Sequence, residues 1–101
     1  MTVPYDLTPR AEHDLDDIAL YTIQEWGAAQ METYLRQLEE RFRWLAENPD
    51  LGHRRDEVHS GYRSWPQGRH VIFYVRRGER IAIIGVPHRA MDVGAYFDRS
   101  R

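Results

Sequence analysis

Between positions 63 and 89 the chain carries Arg63, Arg69, His70, Arg76, Arg77, Arg80, His88 and Arg89, and Glu57 lies just upstream. Metal-independent cleavage of RNA needs a base for the 2′-hydroxyl, an acid for the leaving oxygen and cations for the charged phosphorane. His, Glu and Arg side chains supply all three. The same residues also suit a docking surface for an acidic partner, because the planar guanidinium grips carboxylate and phosphate bidentately. As a third alternative they form the solvated rim of a sheet. The spacing leaves all three open.

Other chemistries find little support. His13, His53, His59, His70 and His88 contain no H-x-x-x-H or H-E-x-x-H pair, and no cysteine is present, so neither a metal site nor a thiolate nucleophile is expected. Gly52, Gly61, Gly68 and Gly78 are isolated turn glycines rather than a phosphate-cradling run, and no G-x-S-x-G elbow occurs. No cofactor is expected.

The elements that must position these residues follow from periodicity. Val3 to Leu7 reads as a short strand, and Thr8-Pro9 supplies an N-cap and a proline at the first helical position. Ala11, Leu15, Ile18, Thr22 and Trp26 then recur at helical spacing up to Gly27, with Glu12, Asp14, Asp16 and Asp17 in the first turns, where the helix dipole favours negative charge. A second helix runs from Ala28 to Glu47, with Met31, Leu35, Leu38, Phe42 and Leu45 on one face and Asn48-Pro49 as its stop. Two helices joined at one glycine predict an antiparallel hairpin. "HRRDEVHSG" reads as a loop, and from Gly61 the pattern is strand, turn, strand, turn, strand through "GYRSW", "HVIFYV" and "IAIIGV". Val71 to Val75 and Ile81 to Val86 are apolar on both parities, so these strands should be covered on both faces, of which the helical hairpin can cover one. The terminal "HRAMDVGAYFDRSR" is a short helical turn or a tail. The fold class is therefore α+β, one domain spanning residues 1–101: an N-terminal strand and a two-helix antiparallel hairpin packed on a small antiparallel sheet.

Charge divides along the chain. Residues 1–50 hold eleven Asp/Glu against four Arg, whereas residues 51–101 hold five against ten, and every basic residue is arginine. No segment approaches the ~20 apolar residues of a membrane helix, and no basic-then-apolar leader opens the chain, so a soluble protein of a reducing cytoplasm is expected. Leu20 and Tyr21 fall off the first apolar stripe and Trp44 off the second. Together with the second face of the sheet, they are candidates for cover by a partner.

Four pieces in this order, "L-T-x-x-A-x-x-D-L" at Leu7 to Leu15, "Y-T-x-x-x-W-G-A-A-Q" at Tyr21 to Gln30, "G-x-H-V-I-F-Y" at Gly68 to Tyr74 and "V-x-H-R-A-M-D" at Val86 to Asp92, resemble the ParE toxins of the RelE/ParE superfamily of bacterial type II toxin-antitoxin systems. The resemblance implies a toxin that traps DNA gyrase in its cleaved-DNA state, blocks replication and is not an enzyme. It implies a ParD-like antitoxin as partner, with DNA reached only through that antitoxin. Target docking then falls to Arg63, Arg69, His88, Arg89, Tyr96 and Phe97, and antitoxin binding to Leu20, Tyr21, Trp44, Arg63 and Arg69. The alternative is a ribosome-dependent ribonuclease of the RelE branch, with Arg63, His88, Arg89 and Glu57 as its set. Lysine is absent and Arg89 follows His88, so neither the lysine-rich centre of RelE nor the terminal His-Tyr pair of another ribonuclease branch is present. A toxin fold without toxicity is the third reading.

Overall fold

The computed structural model describes residues 3–98; Arg99, Ser100 and Arg101, the end of the tail, lie outside the described residues. The elements run β1 (Tyr5–Leu7), α1 (Pro9–Trp26), α2 (Ala28–Glu47), β2 (His53–Arg54), β3 (Tyr62–Gln67), β4 (His70–Arg77), β5 (Arg80–Gly85) and α3 (Val93–Asp98).

Thr8 starts α1 as its sequence position predicts: the hydroxyl oxygen accepts from the Ala11 N–H at 3.2 Å. The same hydroxyl lies 3.0 Å from the carbonyls of both Ile83 and Ile84, so one side chain caps the helix and ties it to β5. Gly27 separates the helices at φ 91°, a backbone region that L side chains rarely adopt. The hairpin buries Ala11 and Ile18 from α1 and Leu38, Phe42 and Leu45 from α2 against Ile72, Tyr74, Ile81, Ile83 and Val86. The predicted stripe of α1 frays at its end, where Trp26 is 59% exposed.

The sheet order is β1-β5-β4-β3-β2. The four strands from β2 onward pair antiparallel, and β1 joins β5 in parallel, Tyr5 opposite Ile81 and Leu7 opposite Ile83. The two-residue β2 pairs with Ser64 and Arg63 inside a segment expected to be loop; a strand this short has no period to detect.

Partner cover is not what closes the second face of the sheet. Phe73, Ala82 and Ile84 are buried there under Val58, Tyr62 and Val71 and under Val93 and Phe97 of α3. The chain's own C-terminal helix and β2–β3 loop supply the cover that the doubly apolar strands require.

One polar tie holds the α2–β2 connection. The Tyr74 hydroxyl donates to the Pro49 carbonyl at 2.8 Å and accepts from the Gly52 N–H at 2.9 Å, and a Cβ on Gly52 would sit 2.7 Å from the Tyr74 ring. Tyr74→Phe leaves that buried N–H without an acceptor. The substitution is expected to cost about 1–3 kcal/mol, read as a lower urea midpoint at unchanged slope.

Candidate functional site

The turn glycine Gly68, at φ 57°, returns β3 into β4 and places His70 at the start of β4. Beyond the end of β5 the chain stays paired with it: His70 and His88 form a bridge, Val71 N–H donates to the Pro87 carbonyl at 2.9 Å, and Arg89 N–H donates to the Arg69 carbonyl at 2.8 Å. This pairing brings Arg69, His70, His88 and Arg89 together at one end of the sheet. The helical hairpin closes over the same end. Ile18, Tyr21, Thr22 and Trp26 of α1 and Gln30 and Tyr34 of α2 join Gly68, Arg69, His70 and His88 to line an open cleft of about 570 Å³.

Inside it, the Tyr34 hydroxyl lies 2.6 Å from His70 Nδ1 and 3.1 Å from the Gln67 carbonyl, and it accepts from the Arg69 N–H at 3.1 Å. Burial raises the Tyr34 phenol above its ordinary value, so it stays protonated. Burial, reinforced by the charges of His88 and Arg69, pushes His70 down to about 4, and its ring is neutral near pH 7. His88 Nδ1 accepts from the Ala90 N–H at 3.1 Å, which leaves Nε2 as the ring's donor. The Arg69 guanidinium lies 5.3 Å over the Trp26 ring, and Arg89 donates to the Gly68 carbonyl at 3.2 Å. Neither arginine has a carboxylate within ion-pair reach among the described residues. The cleft therefore combines apolar walls with unneutralised cations, a chemistry suited to an acidic segment carrying an apolar anchor. Among the described residues no three His, Asp or Glu side chains gather where they could hold a metal ion.

A family model described as the ParE toxin of the type II toxin-antitoxin system parDE matches residues 5–93. The chain belongs to the ParE toxin family. It is 42% identical over 93 residues to Toxin ParE1 of Caulobacter vibrioides, covering 92% of this chain and 96% of that one. Toxin ParE1 of Mycobacterium tuberculosis is 39% identical over 94 residues, with the same two coverages. A solved structure titled as the chromosomal ParDE system from P. aeruginosa shares the fold, with a TM-score of 0.71 at 18% identity over 85% of this chain and 95% of that one.

The ParE fold separates the residues of the ribonuclease set. Arg63 lies opposite Tyr74, four residues along β4 from His70, or about 13 Å at strand rise. Its guanidinium is half-buried and donates to the Asp50 and Gly52 carbonyls at 3.2 and 2.9 Å, so it ties β3 to the α2–β2 connection. Glu57 sits in the loop beyond β2, hydrogen-bonded by Arg55 at 2.8 Å, which lowers its pKa and makes it a poor acid. Neither residue lines the cleft with His88.

The docking and antitoxin candidates divide likewise. Arg69, His88 and Tyr21 line the cleft, Tyr21 being 49% exposed, and Arg89 stands beside it, bonded to the Arg69 and Gly68 carbonyls. Leu20, 58% exposed, does not line it. Trp44 corrects the expectation of a free surface aromatic: it is half-buried, its ring 4.9 Å from Trp65 and 4.6 Å beneath the Arg41 guanidinium. Tyr96 is buried and Phe97 is half-buried against Phe73, so both side chains pack inside the protein. His70 stands in the cluster named from the sequence without a role of its own, whereas Tyr34 and Trp26 are not among the sequence's site candidates. Tyr34 stands at i, i+4 spacing from Leu38, a signal that it points toward the sheet. Trp26 continues the α1 stripe at i+4 from Thr22 and i+8 from Ile18, and all three line the cleft.

His70 makes a pH prediction. Its folded value lies below the ordinary 6.5, so the unfolded chain binds the proton more tightly. The stabilisation is present above pH 6.5 and is lost as pH falls toward about 4. Proton NMR should show the His70 ring titrating near 4. His70→Gln should flatten that part of the profile of urea midpoint against pH.

Proposed function

We propose that this ParE toxin inhibits DNA gyrase in its cleaved-DNA state, acts by binding and not by catalysis, and is neutralised in the bacterial cytoplasm by a ParD-like antitoxin that alone touches DNA. The observation that carries this reading is the separation of Glu57 and Arg63 from His88. General acid–base cleavage requires its groups within hydrogen-bond reach of one substrate, and here Arg63 and Glu57 are held by Asp50, Gly52 and Arg55 instead.

The cleft supplies a neutralisation surface on the same reading. An acidic antitoxin segment would place an apolar side chain between Tyr21, Trp26 and Tyr34 and set carboxylates against Arg69 and Arg89. Leu20, outside the cleft, would be reached only by an antitoxin segment that continues across α1. Arg63, tied to backbone carbonyls, would contribute little.

The test is a pair of assays on antitoxin-free protein: gyrase supercoiling with detection of cleaved plasmid, beside messenger cleavage on programmed ribosomes. Cleaved plasmid with intact messenger is the expected result; cut messenger with unaffected gyrase overturns the reading in favour of the ribonuclease alternative. His88→Ala should weaken gyrase inhibition by no more than the loss of one docking contact, about tenfold, and messenger should stay intact with wild type and variant alike. Arg69→Glu should weaken antitoxin affinity by roughly tenfold or more, measured by calorimetry, as a like charge placed opposite acidic residues requires.

A further inference from the structure

The β3–β4 hairpin turns over two residues, Gly68 and Arg69, between the paired Gln67 and His70. Arg69 is exposed on this turn, so its position depends on how firmly the rest of the chain holds the turn. Helix α2 supplies one side chain that does so. The Tyr34 hydroxyl accepts from the Arg69 N–H at 3.1 Å, and His70 Nδ1 at 2.6 Å and the Gln67 carbonyl at 3.1 Å share its one proton. One oxygen therefore meets three of the four residues of the turn.

The surroundings fit that meeting closely. Gly68 leaves the space the phenol occupies, since a Cβ there would lie 2.6 Å from Tyr34 Cε1 and 2.8 Å from its hydroxyl. Two turns further along α2, Arg41 Nε donates to Gln67 Oε1 at 2.9 Å. From the segment after β5, Arg89 donates through its N–H to the Arg69 carbonyl and through its guanidinium to the Gly68 carbonyl. The carbonyls of Gln67, Gly68 and Arg69 and the Arg69 N–H are thus all bonded within the toxin. What the turn offers a partner is the Arg69 guanidinium, held 5.3 Å over the Trp26 ring with no carboxylate in ion-pair reach among the described residues.

We propose that Tyr34 is a positioning residue of the cleft: its hydroxyl fixes the Gln67–His70 turn so that the Arg69 guanidinium stands over Trp26, where a carboxylate of the antitoxin meets it. This rests on the neutralisation reading above. A side chain already ordered loses less conformational freedom on binding than a mobile one, so the hydroxyl contributes affinity without itself pairing with the partner's charge. The phenol oxygen acts through Arg69, and its effect disappears where Arg69 is absent.

The experiment uses full-length toxin carrying Tyr34→Phe, which keeps the ring in the cleft wall and removes the oxygen, alone and combined with Arg69→Ala. Amide exchange and the Arg69 side-chain proton shifts are read by NMR, and antitoxin affinity by calorimetry. Tyr34→Phe is expected to speed exchange of the Arg69 N–H roughly ten- to hundredfold while β5 stays unchanged. The Arg69 side-chain protons should lose the ring-current shift that Trp26 imposes. Antitoxin affinity should fall by about tenfold. In the Arg69→Ala background the same substitution should cost less than about twofold, because the two residues act as one unit. Gly68→Ala, which presses a methyl on the phenol from the turn's side, should give the same pattern. An equal loss in both backgrounds overturns the proposal, since Tyr34 then acts through the fold or by direct contact. Faster exchange with full affinity overturns it as well, and so does unchanged exchange with the Arg69 shifts in place. If Arg69→Ala itself binds the antitoxin as wild type does, the neutralisation reading falls and takes this role with it. A weakened Arg69→Ala beside an unaffected Tyr34→Phe sinks the role of Tyr34 alone.

Discussion

Strands β4 and β5 are apolar at successive positions, and a strand of that kind is stable only when both of its faces are dry. Ile72, Tyr74, Ile81 and Ile83 point to one side and Phe73, Ala82 and Ile84 to the other, all of them buried. The helical hairpin covers the first side. A chain of 101 residues with no cysteine has little left for the second, and it uses Val58 from a loop and Val93 and Phe97 from its last helix. The need for two-sided cover explains why so short a helix as α3 is held at all, and why the "AYF" aromatics are spent on packing.

The same arrangement decides where charge remains available. Towards the Arg77–Arg80 end of the sheet five arginines meet carboxylates: Arg54 with Asp56, Arg55 with Glu57, Arg80 with Asp6, and Arg63 and Arg76 around Asp50. At the opposite end, Arg69 and Arg89 contact a tryptophan ring and a carbonyl. Among the described residues, Arg69 and Arg89 thus leave positive charge beside the cleft that an acidic partner can meet.

Helix and strand existence, the αα-hairpin and the doubly buried strands were readable from the sequence because each rests on a local period. Thr8-Pro9 marked a helix start that the structure uses. The parallel pairing of β1 was not readable, since three residues carry no register and the pairing is fixed by Thr8 reaching β5 across 75 positions. The site was half readable. Arg69, His88 and Arg89 stood out by type and proximity in sequence, but Arg63 and Glu57 looked equally suitable, and only the strand register places them away from His88. Tyr34 and Trp26 come from helices whose contribution to the cleft depends on how the hairpin lies across the sheet, which no period encodes. The exposure of Trp44 was misjudged for a related reason. Its angle on the wheel pointed off the stripe, yet Trp65 and Arg41 enclose it.

Cleft and C-terminal segment are joined through the elements they share. Asp14, which accepts from the Tyr96 hydroxyl of α3, sits one helical turn before Ile18, a wall of the cleft, and Val86, bonded to Asp14, is two residues before His88. Both sides of the toxin are thus anchored on the start of α1 and the exit from β5, segments brought together across more than seventy positions of chain. Closing a loop of that length costs more chain entropy than forming a local hairpin. A single long-range junction therefore completes both surfaces, and a chain that has not closed it presents neither a complete cleft nor a fixed C-terminal helix.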